Sequence, residues 1–374
     1  MNGMDVDLLI VGGGVIGLAV AAGVPEGSSA ILVERHSRFG QESSSRNSEV
    51  VHSGIHYPPD SLKTRLCLRG RDLLYEFCVN HGVGVEKTGK IVVACDTAEL
   101  SRLEEIARHS RALGVPVDEL TASQVTRLEP DVRAEGGLHF QESGIVDSHE
   151  LMLALEARAQ GRGVMLAYGH RVIGVERAQG AWSVRVQAPG EEIAIRARRV
   201  VNAAGLKAAE LHALVTGDPR YSHRYCRGRY LVLSRRFAGI FHRLVYPVPP
   251  KDGLGVHVTR DLAGNARLGP DVEWLSETRA DALDPWYDCD WEALKPSFLA
   301  AAGRYLRDLQ PGDLGAGLVG IRPKLFSSGT AVGDFLLVAS DGWVHCLGIE
   351  SPGLTSCLAI ADEVHTVLAG MLGS

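Results

Sequence analysis

The sequence predicts an α/β protein with a Rossmann-type nucleotide domain joined to a second, α+β domain built on an antiparallel sheet. Three stretches carry this expectation. The first is Leu8-Leu9-Ile10-Val11 followed by Gly12-Gly13-Gly14-Val15-Ile16-Gly17, a small-residue run to Gly23 and Ile31-Leu32-Val33-Glu34. An apolar strand, a glycine turn, an Ala-rich helix and a second apolar strand make one βαβ unit, the dinucleotide-binding pattern in its expected context. Gly12 allows the tight turn, Gly14 admits a pyrophosphate and Gly17 lets helix pack on strand, while the helix N-terminus attracts negative charge. Glu34, ending the second strand, accepts hydrogen bonds from a ribose diol. The second stretch is a β-meander, Arg171 to Arg177, Ala181 to Ala188 and Glu191 to Ala197, that runs into Arg199-Val200-Val201-Asn202-Ala203-Ala204-Gly205. The third is residues 219 to 275, where longer strands separated by Pro and Gly form an antiparallel sheet distinct from the first domain.

At 374 residues the chain buries a sizeable core and divides into about two domains. A hydrophobic fraction of 45% and a charged fraction of 22% are those of a soluble globular protein, and a net charge of −6 argues against nucleic-acid binding. Seven cysteines without a CxxC pair read as a reducing, cytoplasmic compartment with no structural zinc. The apolar run Leu8 to Val24 is neither signal peptide nor membrane helix, since it holds five glycines and no Lys or Arg precedes it. No other long apolar segment spans a membrane, which leaves peripheral attachment open.

Between the fingerprint and the meander lie a polar loop from Arg35 to Ser48 and an amphipathic helix from about Ser61 to Asn80. Gly84 to Asp96 alternates as a strand, and Thr97 to Leu113 is a helix. A short helix follows, capped by Thr121 with Gln124 three residues on. Gly137 to Phe140 is a strand, and Asp147 or Ser148 caps a helix to Gln160. In the second domain the strands are Tyr230 to Ser234, Leu244 to Pro247, Leu254 to Thr259 and Ala266 to Leu268. A helix spans Trp291 to Leu309. The chain closes with Gly320-Ile321-Arg322-Pro323-Lys324, strands Phe335 to Ala339 and Trp343 to Leu347, a Gly348 to Gly353 turn and a helix to Met371. Pro219 to Arg236 holds six arginines and no acid, and strand alternation aims several at one sheet face, a seat for a small anion.

The N-terminal glycine fingerprint together with the terminal strand, Gly-Pro turn and helix resembles the FAD-dependent D-amino-acid oxidase superfamily. Within it the sequence is more similar to L-2-hydroxyglutarate dehydrogenases or oxidases. Asn47 to Tyr57, Leu62 to Cys78, Gly144-Ile145-Val146-Asp147, Arg227-Gly228-Arg229-Tyr230, Tyr246-Pro247-Val248-Pro249, Gly255-Val256-His257 and Leu268-Gly269-Pro270 carry that likeness. It departs at Glu49, where the family motif usually has glycine, and at Arg322-Pro323-Lys324, which looks more like the amino-acid oxidases. The chain is also shorter than typical members between Leu275 and Gly320.

The resemblance implies FAD, a discontinuous FAD-binding domain (1–82, 145–218 and 310–374) and a substrate domain (83–144 and 219–309). It implies oxidation of a small 2-hydroxy acid, first L-2-hydroxyglutarate to 2-oxoglutarate, by hydride transfer to flavin N5. A glycine-oxidase-type amino-acid or amine oxidase and a non-catalytic flavoprotein are the alternatives, and oxygen, a quinone or another protein is the electron acceptor. Expected cofactor contacts are Gly12, Gly14, Val15, Ile16, Gly17, Glu34 and Arg35 at the fingerprint. In the following loop they are Ser44, Ser45, Asn47, Ser48, His52 and Ser53, then Arg171 and Val172, Ala203 to Gly205 including Ala204, Gly320 and Arg322. At the terminal turn they are Gly348, Glu350, Ser351, Pro352, Gly353, Leu354 and Thr355, where Ser351 caps a helix whose N–H groups face the flavin's pyrimidine edge. Arg322 binds the substrate carboxylate as a bidentate guanidinium. His345 takes the hydroxyl proton, with His257 its rival. Lys324, Arg227, Tyr246 and His56 complete the expected substrate contacts, Arg260 is a further possible cation, and no metal is expected. A histidine in a setting like that of His52 is bonded to flavin in related dehydrogenases, but the closer relatives imply non-covalent FAD.

Overall fold

The computed structural model describes residues 4–249 and 255–371. The chain opens with β1 (Met4–Val11), α1 (Val15–Ala22) and β2 (Ala30–Glu34), then the short β3 (Val50–Val51) and the long α2 (Leu62–His81). A first insert holds β4 (Val85–Glu86), β5 (Lys90–Ala94), α3 (Leu100–Ala112), β6 (Asp118–Thr121), α4 (Ala122–Leu128), β7 (Gly136–Phe140) and β8 (Gly144–Val146). Next come α5 (Ser148–Gly161), β9 (Met165–Tyr168), β10 (Arg171–Ala178), β11 (Ala181–Ala188), β12 (Glu191–Asn202) and α6 (Ala208–Thr216). The second insert runs through β13 (Tyr221–Leu233), β14 (Leu244–Pro247), β15 (His257–Arg260), β16 (Ala266–Gly269), β17 (Glu273–Trp274), α7 (Trp291–Ala302), β18 (Leu314–Ser327) and β19 (Thr330–Ala331). The chain finishes with β20 (Leu336–Ser340), β21 (Trp343–Leu347) and α8 (Gly353–Gly370).

The nucleotide sheet has eight strands and is organised on β12. One edge of β12 pairs in parallel with all of β1. The other edge pairs first with β11 and then, from Val200, in parallel with β21. The third strand of the meander and the buried strand into which it runs are thus one continuous strand, β12. β2 and β9 extend the sheet beyond β1. Helices α1, α2, α5 and α8 bury Leu18, Leu74, Leu155 and Ile360 against its face.

The second sheet has ten strands, antiparallel except where β14 pairs with β5. Its longest ladder joins β13 to β18, from Tyr221 opposite Ser327 to Leu233 opposite Leu314. Residues 314–327 therefore pair with the substrate sheet, a correction to the placing of 310–374 as a whole in the nucleotide domain. Gly84 to Asp96 also divides, because β4 joins the three-stranded sheet with β3 and β8 while β5 joins the larger one. The helix from Trp291 ends at Ala302 instead of Leu309. Gly303 closes it, and Leu306 turns back to bridge Val132. Leu254, expected to begin β15, lies outside the described residues. No helix among the described residues is long and apolar enough to cross a membrane.

Two local contacts account for Glu49, which the sequence left odd, and for a glycine inside α2. Glu49 has φ 60°, the left-handed region that glycine enters freely. Its carboxylate accepts hydrogen bonds from the Ser148 N–H at 3.2 Å and hydroxyl at 2.9 Å, and Arg267 lies 3.4 Å away. Gly70 sits mid-helix in α2 where α8 crosses, and a Cβ there would lie 2.6 Å from the Thr355 carbonyl oxygen. Helix propensity alone would favour Gly70→Ala by about 1 kcal/mol. The contact reverses the sign, and we expect a loss of about 1–3 kcal/mol from overpacking. Thermal unfolding checks this; a Tm at or above that of the wild type contradicts the α2–α8 packing described here.

Candidate active site

Between the two sheets lies a cavity of about 820 Å³. At one end stands the glycine turn. A Cβ on Gly12 would collide with the Ala203 carbonyl, and one on Gly17 with that of Gly12, so the fingerprint glycines are where backbones meet. α1 starts at Gly14 with no side-chain cap and no acid in its first turn, which leaves an electropositive helix end facing the cavity. Ser44 takes one of its amides, accepting from the Val15 N–H at 3.0 Å. Glu34 accepts from the Gly13 N–H at 2.6 Å and the His36 N–H at 2.8 Å. Beyond it, Arg35, Arg171 and Lys207 surround Asp281. Ile173 and Leu214 are exposed there, apolar surface of the kind a stacked base covers.

The far end of the cavity is bounded by the start of α8. That helix also begins without a side-chain cap, at Pro352. Ser351 does not cap it as expected, because its hydroxyl lies 3.3 Å from His52 Nε2. A cavity with an uncapped helix end at each extreme, a carboxylate closing β2 and exposed apolar side chains fits FAD. Val15, Ile16, Arg35, Asn47, Ser48, His52, Val172, Ala204, Gly205, Gly320, Glu350, Gly353 and Leu354 all line it. Gly17, Ser45, Ser53, Gly348 and Thr355 stand outside the lining. Thr355 holds the loop from behind, accepting from the His52 N–H at 3.0 Å. Asn47 likewise shapes its loop, donating to the carbonyls of Ser43 and Ser44 at 3.2 and 2.7 Å.

Over this floor the second sheet lays Arg322, Lys324, Tyr246, His257 and, from the first domain, His56. Arg322 reaches only the Asp271 carbonyl, at 3.4 Å, and has no carboxylate partner among the described residues. Gly228 makes room for it, since a Cβ there would strike the Arg322 guanidinium. His257 stacks on Tyr246 with ring centroids 3.8 Å apart. Its Nδ1 lies 3.1 Å from the Gly255 carbonyl, which assigns the proton to Nδ1 and leaves the Nε2 lone pair free. Burial pushes the His257 pKa down to about 3, so the ring is neutral. His52 is held at about 3 for the same reason, and its Nδ1 and the Tyr246 hydroxyl are buried with no hydrogen-bond partner among the described residues.

Three expected residues are corrected. His345 lies on the opposite face of β21. Strand alternation turns the adjacent Cys346 to the cavity and packs His345 on Trp343 and His212, where Nδ1 lies 3.1 Å from Asn202 Nδ2. It cannot touch a substrate there and instead helps fix the Asn202 side chain behind the Ala203 turn. Arg227 alternates away from Arg322's cavity to pair with Glu273 at 2.9 Å. Arg260 pairs with Glu86. Two lysines were missed. Lys63, two residues after the Ser61 cap, has its ammonium 3.0 Å from Glu350, which also takes Lys324 at 2.8 Å. Lys90, at the head of apolar β5, is wholly buried with its ammonium 3.0 Å from His56 Nε2, and burial lowers its pKa to about 7. A lysine opening Ile91-Val92-Val93 was the signal available for it. No cluster of three or more metal-ligating side chains occurs among the described residues.

A family model described as FAD dependent oxidoreductase matches residues 7–365. The chain is 36% identical to the mitochondrial L-2-hydroxyglutarate dehydrogenase of Arabidopsis thaliana, covering 96% of this chain and 82% of that one. It is 31% identical to the human mitochondrial L-2-hydroxyglutarate dehydrogenase, over 96% and 88%. Among solved structures, the FAD-bound L-α-glycerophosphate oxidase of Mycoplasma pneumoniae superposes with a TM-score of 0.88 at 25% identity, over 98% and 95%. Glycine oxidase from Geobacillus kaustophilus shares the fold, with a TM-score of 0.78 at 20% identity over 98% and 95%. Cavity, helix ends and comparisons agree, and the chain belongs to the FAD-dependent oxidoreductase family, of the D-amino-acid oxidase type, with FAD as its cofactor.

Proposed function

We propose that this enzyme oxidises L-2-hydroxyglutarate to 2-oxoglutarate. The observation that carries the reading is Arg322, a guanidinium that meets no carboxylate among the described residues, in the same cavity as His257, a neutral imidazole whose Nε2 lone pair is available. The names of the relatives supply the hydroxy acid. Bound FAD supplies the two-electron acceptor for the hydride leaving the carbinol carbon. The chain does the rest. Arg322 holds the carboxylate beside the hydroxyl, His257 Nε2 takes the hydroxyl proton, and the Tyr246 hydroxyl donates to a substrate oxygen. Burial raises the Tyr246 pKa well above its ordinary value, so the phenol stays a donor. FAD is held without a covalent bond, and seven free cysteines suit a reducing compartment.

The Gly-Ile-Arg-Pro sequence keeps an amino-acid oxidase as the second reading. The cavity wall disfavours it, because two ammonium groups stand on one oxygen of its inner carboxylate, Glu350, and repel a substrate ammonium there. Anaerobic mixing separates the readings. Bleaching of the flavin band by L-2-hydroxyglutarate is expected; bleaching by amino acids alone, or by neither, contradicts the proposal.

Arg322→Leu should lose about 1.5–3 kcal/mol of charge-assisted binding, or about one to two decades in kcat/KM, with FAD retained. Gly228→Ala should act in the same direction by pushing the guanidinium aside. Wild-type kinetics in both would remove Arg322 from the substrate. The pH profile tests His257. A base whose pKa burial has lowered to about 3 remains deprotonated down through pH 5. kcat/KM should therefore show no acid limb at the ordinary histidine value near 6.5; such a limb would transfer the role to a more exposed group.

A further inference from the structure

Arg322 is only part of the positive charge on the inner cavity wall. Two residues along β18 stands Lys324, and the period of a strand puts both on one face, about 6.6 Å apart along the chain. Lys324 and Lys63 share a single oxygen of Glu350, at 2.8 and 3.0 Å, and all four side chains line the cavity. Lys63 and Glu350 are 6% and 8% exposed, whereas Lys324 keeps 34%. One carboxylate among three cations leaves two positive charges on a largely dewatered wall, and buried charge demands a partner. Each ammonium has three donors, and Glu350 takes one from each lysine. The wall is thus complementary to a dianion with its charges at two separate points.

We propose that Lys324 and Lys63, held in place by Glu350, seat the second carboxylate of a five-carbon diacid whose first carboxylate lies on Arg322. A chain of four carbon–carbon single bonds separates its carboxyl carbons by about 5 Å when extended, so its two charges fall at separate points, as those of the wall do. A monoacid leaves the lysine pair unanswered. Selection for a dicarboxylate is therefore built into the wall opposite the reacting end. The inference rests on the proposed reaction for the placing of the first carboxylate.

Its test uses the FAD-loaded protein and two ligands that cannot be oxidised, glutarate and pentanoate, which differ by one carboxylate. Titration followed by flavin absorbance and by Tm should show glutarate bound at least about tenfold more tightly. In Lys324→Met that preference should collapse, and in Lys63→Met it should fall. Equal binding of the two ligands by the wild type overturns the proposal. So does a full preference retained in Lys324→Met and, should that variant fail to load FAD, in Lys63→Met. A parallel measurement compares kcat/KM for L-2-hydroxyglutarate and L-2-hydroxypentanoate, whose ratio should drop about ten- to a hundredfold in Lys324→Met. If glutarate is preferred but neither hydroxy acid bleaches the flavin, the carboxylate seat stands and the proposed reaction falls.

Discussion

The register of β13 against β18 is the constraint on which the site depends. In the observed register Gly228 faces Gly320, and the space it leaves is filled by the Arg322 guanidinium two residues further on. Gly320 in turn presses against the backbone carbonyl of Arg46, so the same ladder abuts the nucleotide domain. A slip of one residue would turn the Arg322 guanidinium to the other face of the sheet, away from the space that Gly228 leaves for it. The length of the ladder, which runs the whole of β13, is what makes that slip costly. Backbone hydrogen bonds thus fix where Arg322 stands in the substrate roof, and the close approach of Gly320 to Arg46, with the Ser43 hydroxyl donating to the Ile321 carbonyl, sets that roof on the cofactor floor.

Burial then divides the polar groups into two kinds. Histidines at positions 52, 56 and 257 lose their charged form because desolvation opposes it, and Lys90 beside them adds to the effect for each. Glu350 keeps its charge. Burial opposes ionisation there too, but the ammoniums of Lys63 and Lys324 outweigh it and hold the carboxyl below its usual range. Neutral bases thus sit beside a cationic wall, which suits a substrate that arrives as an anion and must give up a proton.

Much of this was legible before the structure. The βαβ unit announces itself because Gly12, Gly14 and Gly17 fall at fixed spacing in one short turn between two apolar runs, although the contact that demands Gly12 comes from distant Ala203. Thr121 with Gln124, and Asp147 ahead of α5, were readable for the same reason, since caps are local. What could not be read was facing. His345 and Cys346 differ by one step on a strand, and only the partner strands decide which of the two meets the cavity. The arginines of β13 alternate in the same way, and Arg227 and Arg229 were claimed by Glu273 and Asp271, some forty residues away in sequence. Lys63 and Lys90 went unnoticed because a lysine is ordinarily a surface residue, and nothing near them in sequence foretells their burial.

Glu49 has a consequence for how this chain can change. Its left-handed backbone costs a residue with a side chain about 1–2 kcal/mol, which the hydrogen bonds to Ser148 and the contact with Arg267 offset. Glycine and glutamate codons are one base apart, so the step between them is short in mutational terms. It is nonetheless conditional on its neighbours. A descendant that loses Arg267 first retains a strained, half-buried carboxylate with less to hold it. A descendant that changes to glycine first leaves the Ser148 amide and hydroxyl without this acceptor. The order of substitutions at 49, 148 and 267 is thus constrained by epistasis, and the three positions should vary together across descendants of this sequence.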